Sequence, residues 1–337
     1  MSEANPLYMR RCIQLAMNGF HNAPPNPMVG AVVVYDDRII GEGYHVRCGE
    51  GHAEVNALAS VKPEDEHLLT ESTIYVSLEP CSHYGKTPPC ADLIISKGLK
   101  HCVVGCIDPF AKVSGRGIAK LREAGIEVTV GVMEEECRRL NKRFITYHQL
   151  HRPFITLKWA QTQDGFMAYE NQKPDHILAV SDSFTQTICH KRRAEHQAIL
   201  VGANTLITDN PSLTTRKWSG EDPLPCVLIS EKSLNNLKAG KGDDYRLLQP
   251  DFNTLFADSI DSLLKMLYDK GIQSLLVEGG QQTLQSFIDR DLWDEAFIET
   301  GDFTIGKGLK APILNNAVTS TNHYSSHRID FYSNLHL

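Results

Sequence analysis

The chain has 337 residues, 42% of them hydrophobic and 22% charged, with a formal net charge of −7. That length suits two domains of ordinary soluble composition, and neither half is basic, which argues against a broad nucleic-acid surface. Its cysteines number nine; no charged-then-apolar leader opens the sequence and no apolar run approaches about 18 residues, so a disulfide framework and a membrane span are set aside and a reducing cytosol is expected.

Asn5-Pro6 reads as a helix cap followed by proline at the first helical position, and that helix is expected to stop at Gly19. "NAPPNPMVG" is a stiff loop, and "AVVVYDDRIIGEGYH" is a β-hairpin turning at Asp36-Asp37. A helix from His52 to Ser60 follows, then the strand "STIYVSLEP", a short helix from Cys90 to Lys97 and the strand "HCVVGCIDP". "GRGIAKLREAG" is a helix, "IEVTVGV" a strand, and Glu134 to about His148 a single longer helix with three glutamates at its positive end. This alternation predicts a first α/β domain over residues 1–150, with helices on both faces of a sheet.

His151-Arg152-Pro153 is the expected linker, because Pro153 cannot continue a helix, and a second domain is expected over 151–337. It opens on the strand "FITLKWAQT", passes a helix from Asp182 to Glu195 and the strand "HQAILVG", then the loop "TDNPSLTTR" and the strand "PCVLIS". Residues 231–258 carry no clear pattern. Ser259 to Lys270 reads as a helix, "SLLVEGG" as a core strand entering a glycine turn, and Gln282 to Arg290 as the helix after it. "DEAFIET" and the last residues read as strands.

His52, Cys81 and Cys90 are all expected near helix starts at one edge of the first sheet. Three N/S ligands leave a fourth tetrahedral position open, which is the catalytic form of a zinc site and activates a bound water near neutral pH. Glu54 lies two positions from His52, close to a metal without needing to bind it, so its carboxylate can shuttle a proton to a leaving nitrogen. The zinc-deaminase pattern is H-x-E with P-C-x-x-C. Here His52-Ala53-Glu54 and Pro80-Cys81 fit, and Cys90 stands nine positions after Cys81 instead of three.

"PNPMVG", "GEGYH", "HAEVNAL" and "EPCSHYGKTPPC" together make residues 5–148 resemble the riboflavin-biosynthesis pyrimidine deaminases of the cytidine-deaminase-like superfamily. The resemblance implies a three-layer α/β/α domain in which His52, Cys81 and Cys90 hold zinc and Glu54 moves the proton. It also implies that Asn26 and His45 lie over the substrate ring, and that His83, Lys86 and Thr87 meet a ribose phosphate. A cation with hydrogen-bond donors suits that phosphate.

The second half resembles the reductase half of the bifunctional riboflavin enzymes, a dihydrofolate-reductase-like α/β fold, in "LKWAQTQDG", "RAEHQAILVGANTLITDNPSLTTR" and "VEGGQQTL". By resemblance, Gln161, Thr205, Asp209, Ser230 and the turn Gly280, Gln281, Gln282, Thr283, Leu284, Gln285 and Ser286 face NADPH. Arg193, Leu213, Arg216 and Glu278 face the substrate, and Lys158 and Asp209 are candidates for proton transfer during hydride delivery. No G-x-G-x-x-G fingerprint supports a Rossmann reading. One departure stands out: where that family carries Ser-x-Trp-Ile-Thr/Ser, this chain reads "ILAVS" at Ile177 to Ser181.

The implied activity is zinc-dependent deamination of a diamino-hydroxypyrimidine carrying a ribosylamino 5-phosphate, then NADPH-dependent reduction of the ribosyl group. A phosphorylated pyrimidine is the expected partner, with no nucleic acid and no membrane, and a homodimer or higher homo-oligomer is expected. The rival readings are a tRNA, other nucleic-acid or nucleoside deaminase with an accessory domain, and a deaminase or zinc-stabilised binding protein with an inactive reductase half.

Overall fold

A computed structural model describes residues 4–84, 88–109, 115–170, 172, 176–241 and 244–334. It separates into two compact units, Met1–His151 and Arg152–Leu337.

The first unit opens with helix α1 (Pro6–Ala16), whose Asn5 cap side chain accepts from the Leu7 N–H, and a 3₁₀ turn carries it on to Gly19. Strands β1 (Gly30–Tyr35) and β2 (Arg38–Tyr44) form the hairpin; Asp36 and Asp37 take positive φ at its tip, as a tight two-residue turn demands. Then come α2 (Ala53–Ala59), β3 (Thr73–Leu78), α3 (Cys90–Ser96), β4 (His101–Cys106), α4 (Arg116–Glu123), β5 (Glu127–Val130), α5 (Glu134–Leu140) and α6 (Lys142–Leu150). The sheet order is β2-β1-β3-β4-β5, antiparallel through β1 and parallel from β3 to β5. Buried side chains form a cluster on each face of this sheet: Ile74, Val76 and Ile94 on one side, Met9, Val32 and Cys137 on the other. Such two-sided burial explains why β3 and β4 read as nearly continuous apolar runs.

Two features depart from the sequence expectation. Residues 63–71 form a 3₁₀ segment, which has no apolar periodicity to betray it. The single helix expected from Glu134 to His148 is two helices, broken at Asn141. Asn141 is buried; its Oδ1 accepts from the Met28 N–H at 2.8 Å and its Nδ2 donates to the Met28 carbonyl at 2.9 Å. The break therefore exchanges helical regularity for a two-bond anchor on the loop that carries Asn26.

The second unit contains β6 (Phe154–Gln161), β7 (Phe166–Ala168), α7 (Ser183–Ala194), β8 (Ala198–Gly202), α8 (Ala203–Asp209), β9 (Leu224–Leu228), α9 (Glu231–Lys241), β10 (Leu255–Ala257), α10 (Ile260–Asp269), β11 (Ser274–Val277), α11 (Gln281–Asp289), β12 (Glu295–Gly301), β13 (Leu309–Lys310), β14 (Ser320–Tyr324) and β15 (His327–Ser333). Eight strands form one sheet in the order β10-β9-β8-β11-β6-β12-β15-β14. It is parallel as far as β12 and antiparallel beyond. Strands β7 and β13 pair separately. The main core gathers Leu157, Trp159, Leu263, Leu275, Phe287 and Trp293 on one face, and a second cluster around Ile199, Val201 and Leu276 lies on the other. Helix α8, which the sequence reading passed over, starts straight from β8, and Asn210 ends it in the left-handed region.

Candidate active sites in the two units

The ends of two short helices and one strand bring the metal-type side chains together. His52 precedes α2 in an extended conformation, Cys81 follows β3, and Cys90 is the first residue of α3. Their ligand atoms all lie within 4.8 Å of one another. His52 Nδ1 is 3.5 Å from Cys81 Sγ and 3.4 Å from Cys90 Sγ. The loop between the cysteines is closed at its neck: the Cys90 N–H donates to Cys81 Sγ at 3.3 Å and the Ala91 N–H to the Cys81 carbonyl at 3.1 Å. The hydrogen bond from Cys90, and after it His52, holds the Cys81 thiol below the usual thiol range, while the contact with Cys81 and burial push Cys90 up. Two adjacent sulfurs beside a half-buried imidazole form a donor set that suits zinc.

Glu54 sits in the first turn of α2 and is 3% exposed. Burial, with the Cys81 sulfur adding to it, pushes its carboxyl up to about 7. A bound cation would favour the ionised form.

Asn26 and His45 are a pair. Asn26 Nδ2 lies 3.0 Å from His45 Nε2, and His45 Nδ1 lies 3.1 Å from the Gly51 carbonyl. The carbonyl can only accept, so Nδ1 carries the proton and Nε2 accepts from the amide. Burial also lowers the His45 pKa, which keeps the ring neutral. The His45 ring stands edge-on to His52 with centroids 5.4 Å apart. His83 is exposed; Lys86 and Thr87 lie outside the described residues.

Glu79, next to the Pro80-Cys81 step, is a residue the sequence reading passed over. It is buried, and its two oxygens accept from the backbone N–H groups of Asp108, Gly115, Gly117 and Ile118 at 2.8–3.4 Å. It thereby fastens the start of α4 to the end of β3. Gly117 is needed there, because a Cβ would lie 1.9 Å from the Pro80 carbonyl oxygen.

In the second unit, a cleft of about 710 Å³ opens beside α8 and α11. Thr205, Asp209, Gly280, Gln281, Gln282 and Thr283 line it, together with Gly202, Leu228 and Gln172. The backbone approaches closely here: a Cβ on Gly202 would meet Thr283 Oγ1, and Gly280 has φ +72°. A glycine turn at the start of α11 can present N–H groups to a phosphate. Other residues expected at the cofactor have different surroundings. Leu284 is fully buried in the core, and Gln285 accepts from the Ile313 N–H at 2.8 Å. Ser286 donates to the Gln282 carbonyl, Gln161 accepts from Trp159 Nε1, and the exposed Ser230 accepts from the Ser233 N–H at the start of α9.

Of the residues expected at the substrate, Arg193 and Glu278 form an ion pair. Arg193, on α7, grips Glu278 through Nε at 3.0 Å and Nη2 at 2.7 Å, and Nη1 donates to the Thr214 carbonyl. Cys189 Sγ donates to the same carboxylate at 3.3 Å. Leu213 adopts φ 54° with its side chain buried, so only its backbone can face a ligand. Arg216 is exposed and, among the described residues, is held by the hydroxyls of Ser212 and Thr214. Burial opposes the charge on Lys158, but Cys189, Glu278 and Glu299 around it raise its pKa on balance. Within "ILAVS", Leu178 and Val180 are buried, and Ser181 Oγ donates to Glu299 Oε2 at 2.6 Å.

Known proteins share both units. Residues 2–106 match the family described as the cytidine and deoxycytidylate deaminase zinc-binding region, and residues 153–323 match the RibD C-terminal domain. The riboflavin biosynthesis protein RibD of Aquifex aeolicus is 39% identical over 325 residues, which is 91% of this chain and 89% of that protein. RibD of Actinobacillus pleuropneumoniae is 35% identical over 331 residues, 91% of this chain and 86% of the relative. The crystal structure of a diaminohydroxyphosphoribosylaminopyrimidine deaminase/5-amino-6-(5-phosphoribosylamino)uracil reductase from Thermotoga maritima aligns with a TM-score of 0.83 at 36% identity, covering 97% of both chains. Acinetobacter baumannii RibD aligns at 0.81 and 28% identity over 97% of each. By these matches this chain belongs to the RibD family of riboflavin biosynthesis, zinc-dependent deaminases joined to NADPH-dependent reductases.

Proposed function

We propose that the first unit deaminates 2,5-diamino-6-(5-phosphoribosylamino)pyrimidin-4-one, and that the second reduces the ribosyl group of the product to a ribityl chain. The meeting of His52, Cys81 and Cys90 with the buried Glu54 carries this reading. Those three side chains would hold zinc, which when bound supplies an activated water near neutral pH. Asn26 and the neutral His45 hold the pyrimidine ring over that position. Water adds to the amino-bearing ring carbon, Glu54 takes its proton and delivers it to the departing nitrogen, and ammonia leaves as the carbon–nitrogen bond breaks.

In the second unit, Thr205, Asp209 and the Gly280–Thr283 turn would hold NADPH, which supplies the hydride when bound. Opening of the sugar ring leaves a carbon–nitrogen double bond at the former anomeric carbon. The hydride goes to that carbon, the proton to the nitrogen, and Lys158 and Asp209 would move it. Arg216 meets the 5-phosphate, while Arg193 is already held by Glu278.

Two coarser features accompany this reading. All nine cysteines are unpaired, which suits a reducing compartment. Among the described residues, no helix is long and apolar enough to cross a membrane. The exposed edge strand β14 supports pairing of the second sheet with another copy, which sedimentation would read.

The test of the whole reading is a coupled assay on zinc-loaded protein, with ammonia and NADPH absorbance followed together. Ammonia release with NADPH loss is the expected result. Ammonia without NADPH loss would defeat the reductase assignment, and neither signal would defeat both.

A further inference from the structure

Lys158 stands between two carboxylates on the sheet. The register pairs Val277 with Leu157 and Phe297 with Lys158, so Glu278 flanks it from β11 and Glu299 from β12. The two carboxylates are not equivalent. Glu278 is neutralised by the bidentate grip of Arg193 and also accepts from Cys189. That leaves Lys158 and Glu299 as the remaining opposite charges. Their separation is 4.0 Å, too long for a hydrogen bond, and it is the one ion pair of Lys158 among the described residues.

Glu299 itself is 2% exposed. Oε2 accepts from Ser181 at 2.6 Å, while Oε1 is buried with no hydrogen-bond partner among the described residues. His327, from β15, comes within 3.8 Å of Oε1, but its Nε2 is committed to the Val180 carbonyl at 2.9 Å. Its Nδ1 faces Ser326 and Asp182 at 3.2 and 3.5 Å. A buried carboxylate with an unanswered oxygen is costly unless a nearby charge compensates it. The groups facing the Lys158–Glu299 pair are Glu278 from β11, Cys189 and Arg193 from α7, Ser181 and Asp182 before α7, and His327 from β15.

We propose that Glu299 is a positioning residue of the reductase, holding Lys158 as the charged proton donor and, through Ser181, fixing the 177–181 segment beside it. The proposal rests on the reductase reading above. It also accounts for the departure at "ILAVS": Ser181 is retained as a tie to a carboxylate, while Leu178 and Val180 pack inward and Ile177 stays exposed.

Glu299→Gln keeps the size of the side chain and an acceptor for Ser181 but removes the charge. Lys158 then loses its proton at lower pH, and the alkaline limb of the reductase pH profile moves towards acid by about one pH unit or more. Glu299→Asp, which keeps the charge, leaves the limb within a few tenths of the wild type. NADPH affinity, read by nucleotide fluorescence, shows that the cleft of each variant is intact. A Glu299→Gln profile that superimposes on the wild type would overturn the proposal. So would equal loss of rate in both variants with an unmoved limb, which marks a purely structural residue. A wild-type chain that oxidises no NADPH would instead overturn the reductase reading, and this inference with it.

Discussion

Asn26 Nδ2 donates to His45 Nε2 at 3.0 Å, and the Gly51 carbonyl fixes the other ring nitrogen. The imidazole is held neutral, in one tautomer, at the rim of the metal-type cluster. Asn26→Ala removes the donor and frees the ring to turn. Zinc content should be unchanged while deaminase kcat/KM falls about tenfold, the loss of roughly one hydrogen bond. Metal analysis and ammonia release on the same preparation check it.

Glu54 is buried beside Cys90 and His52 and is not one of the three clustered metal-type ligands. Glu54→Gln should retain zinc and lose about 10²–10⁴-fold in ammonia release. Full activity in that variant would remove Glu54 from the proton path.

Asn141 anchors the Asn26 loop from a distance of more than a hundred residues in sequence. Asn141→Ala strands the half-buried Met28 N–H and carbonyl, a cost of about 1 kcal/mol. The melting temperature of the first unit should drop, and ammonia release should fall further than zinc occupancy does.

The two arginines of the reductase cluster should behave differently. Arg216 is exposed and loosely held, so Arg216→Ala should raise the reductase KM and spare deamination. Arg193→Met leaves Glu278 buried without its partner and should destabilise the second unit by about 3–5 kcal/mol. Steady-state kinetics beside a thermal melt separate the two outcomes.

Asp209 lines the reductase cleft, and burial raises its carboxyl above the ordinary range. The folded state therefore takes up a proton more readily than the unfolded one. The charged form costs stability above the raised pKa, and that cost fades as the pH falls through it. Asp209→Asn should melt higher than the wild type near neutrality, no higher in acid, and lose reductase rate. A melting difference that grows in acid would contradict the assignment.

Much of this was legible in the residues. Alternating strands and helices, the H-x-E pair and the two cysteines are local patterns, and local patterns survive in sequence. What was hidden depends on contacts between distant segments. The helix break at Asn141 is a side-chain bond to Met28, and no period in 134–148 announces it. Helix α8 was masked by the polar, proline-bearing stretch that follows it. Glu79 looked like part of a strand end, and its four backbone partners lie about 30–40 residues on. Glu299 reads as a polar residue on an ordinary strand, and only the pairing of β12 with β6 and β15 gives it a lysine and a histidine as neighbours.

The neck that closes the loop between Cys81 and Cys90 has an evolutionary consequence. Two hydrogen bonds, from Cys90 and Ala91 back to Cys81, tie the two cysteines together across the residues between. Those residues can lengthen, shorten or change their charge while the donor geometry stays put. A single inherited metal cradle can thus be refitted to substrates with or without a phosphate by rewriting one tethered insert, and the chemistry need not be reinvented each time.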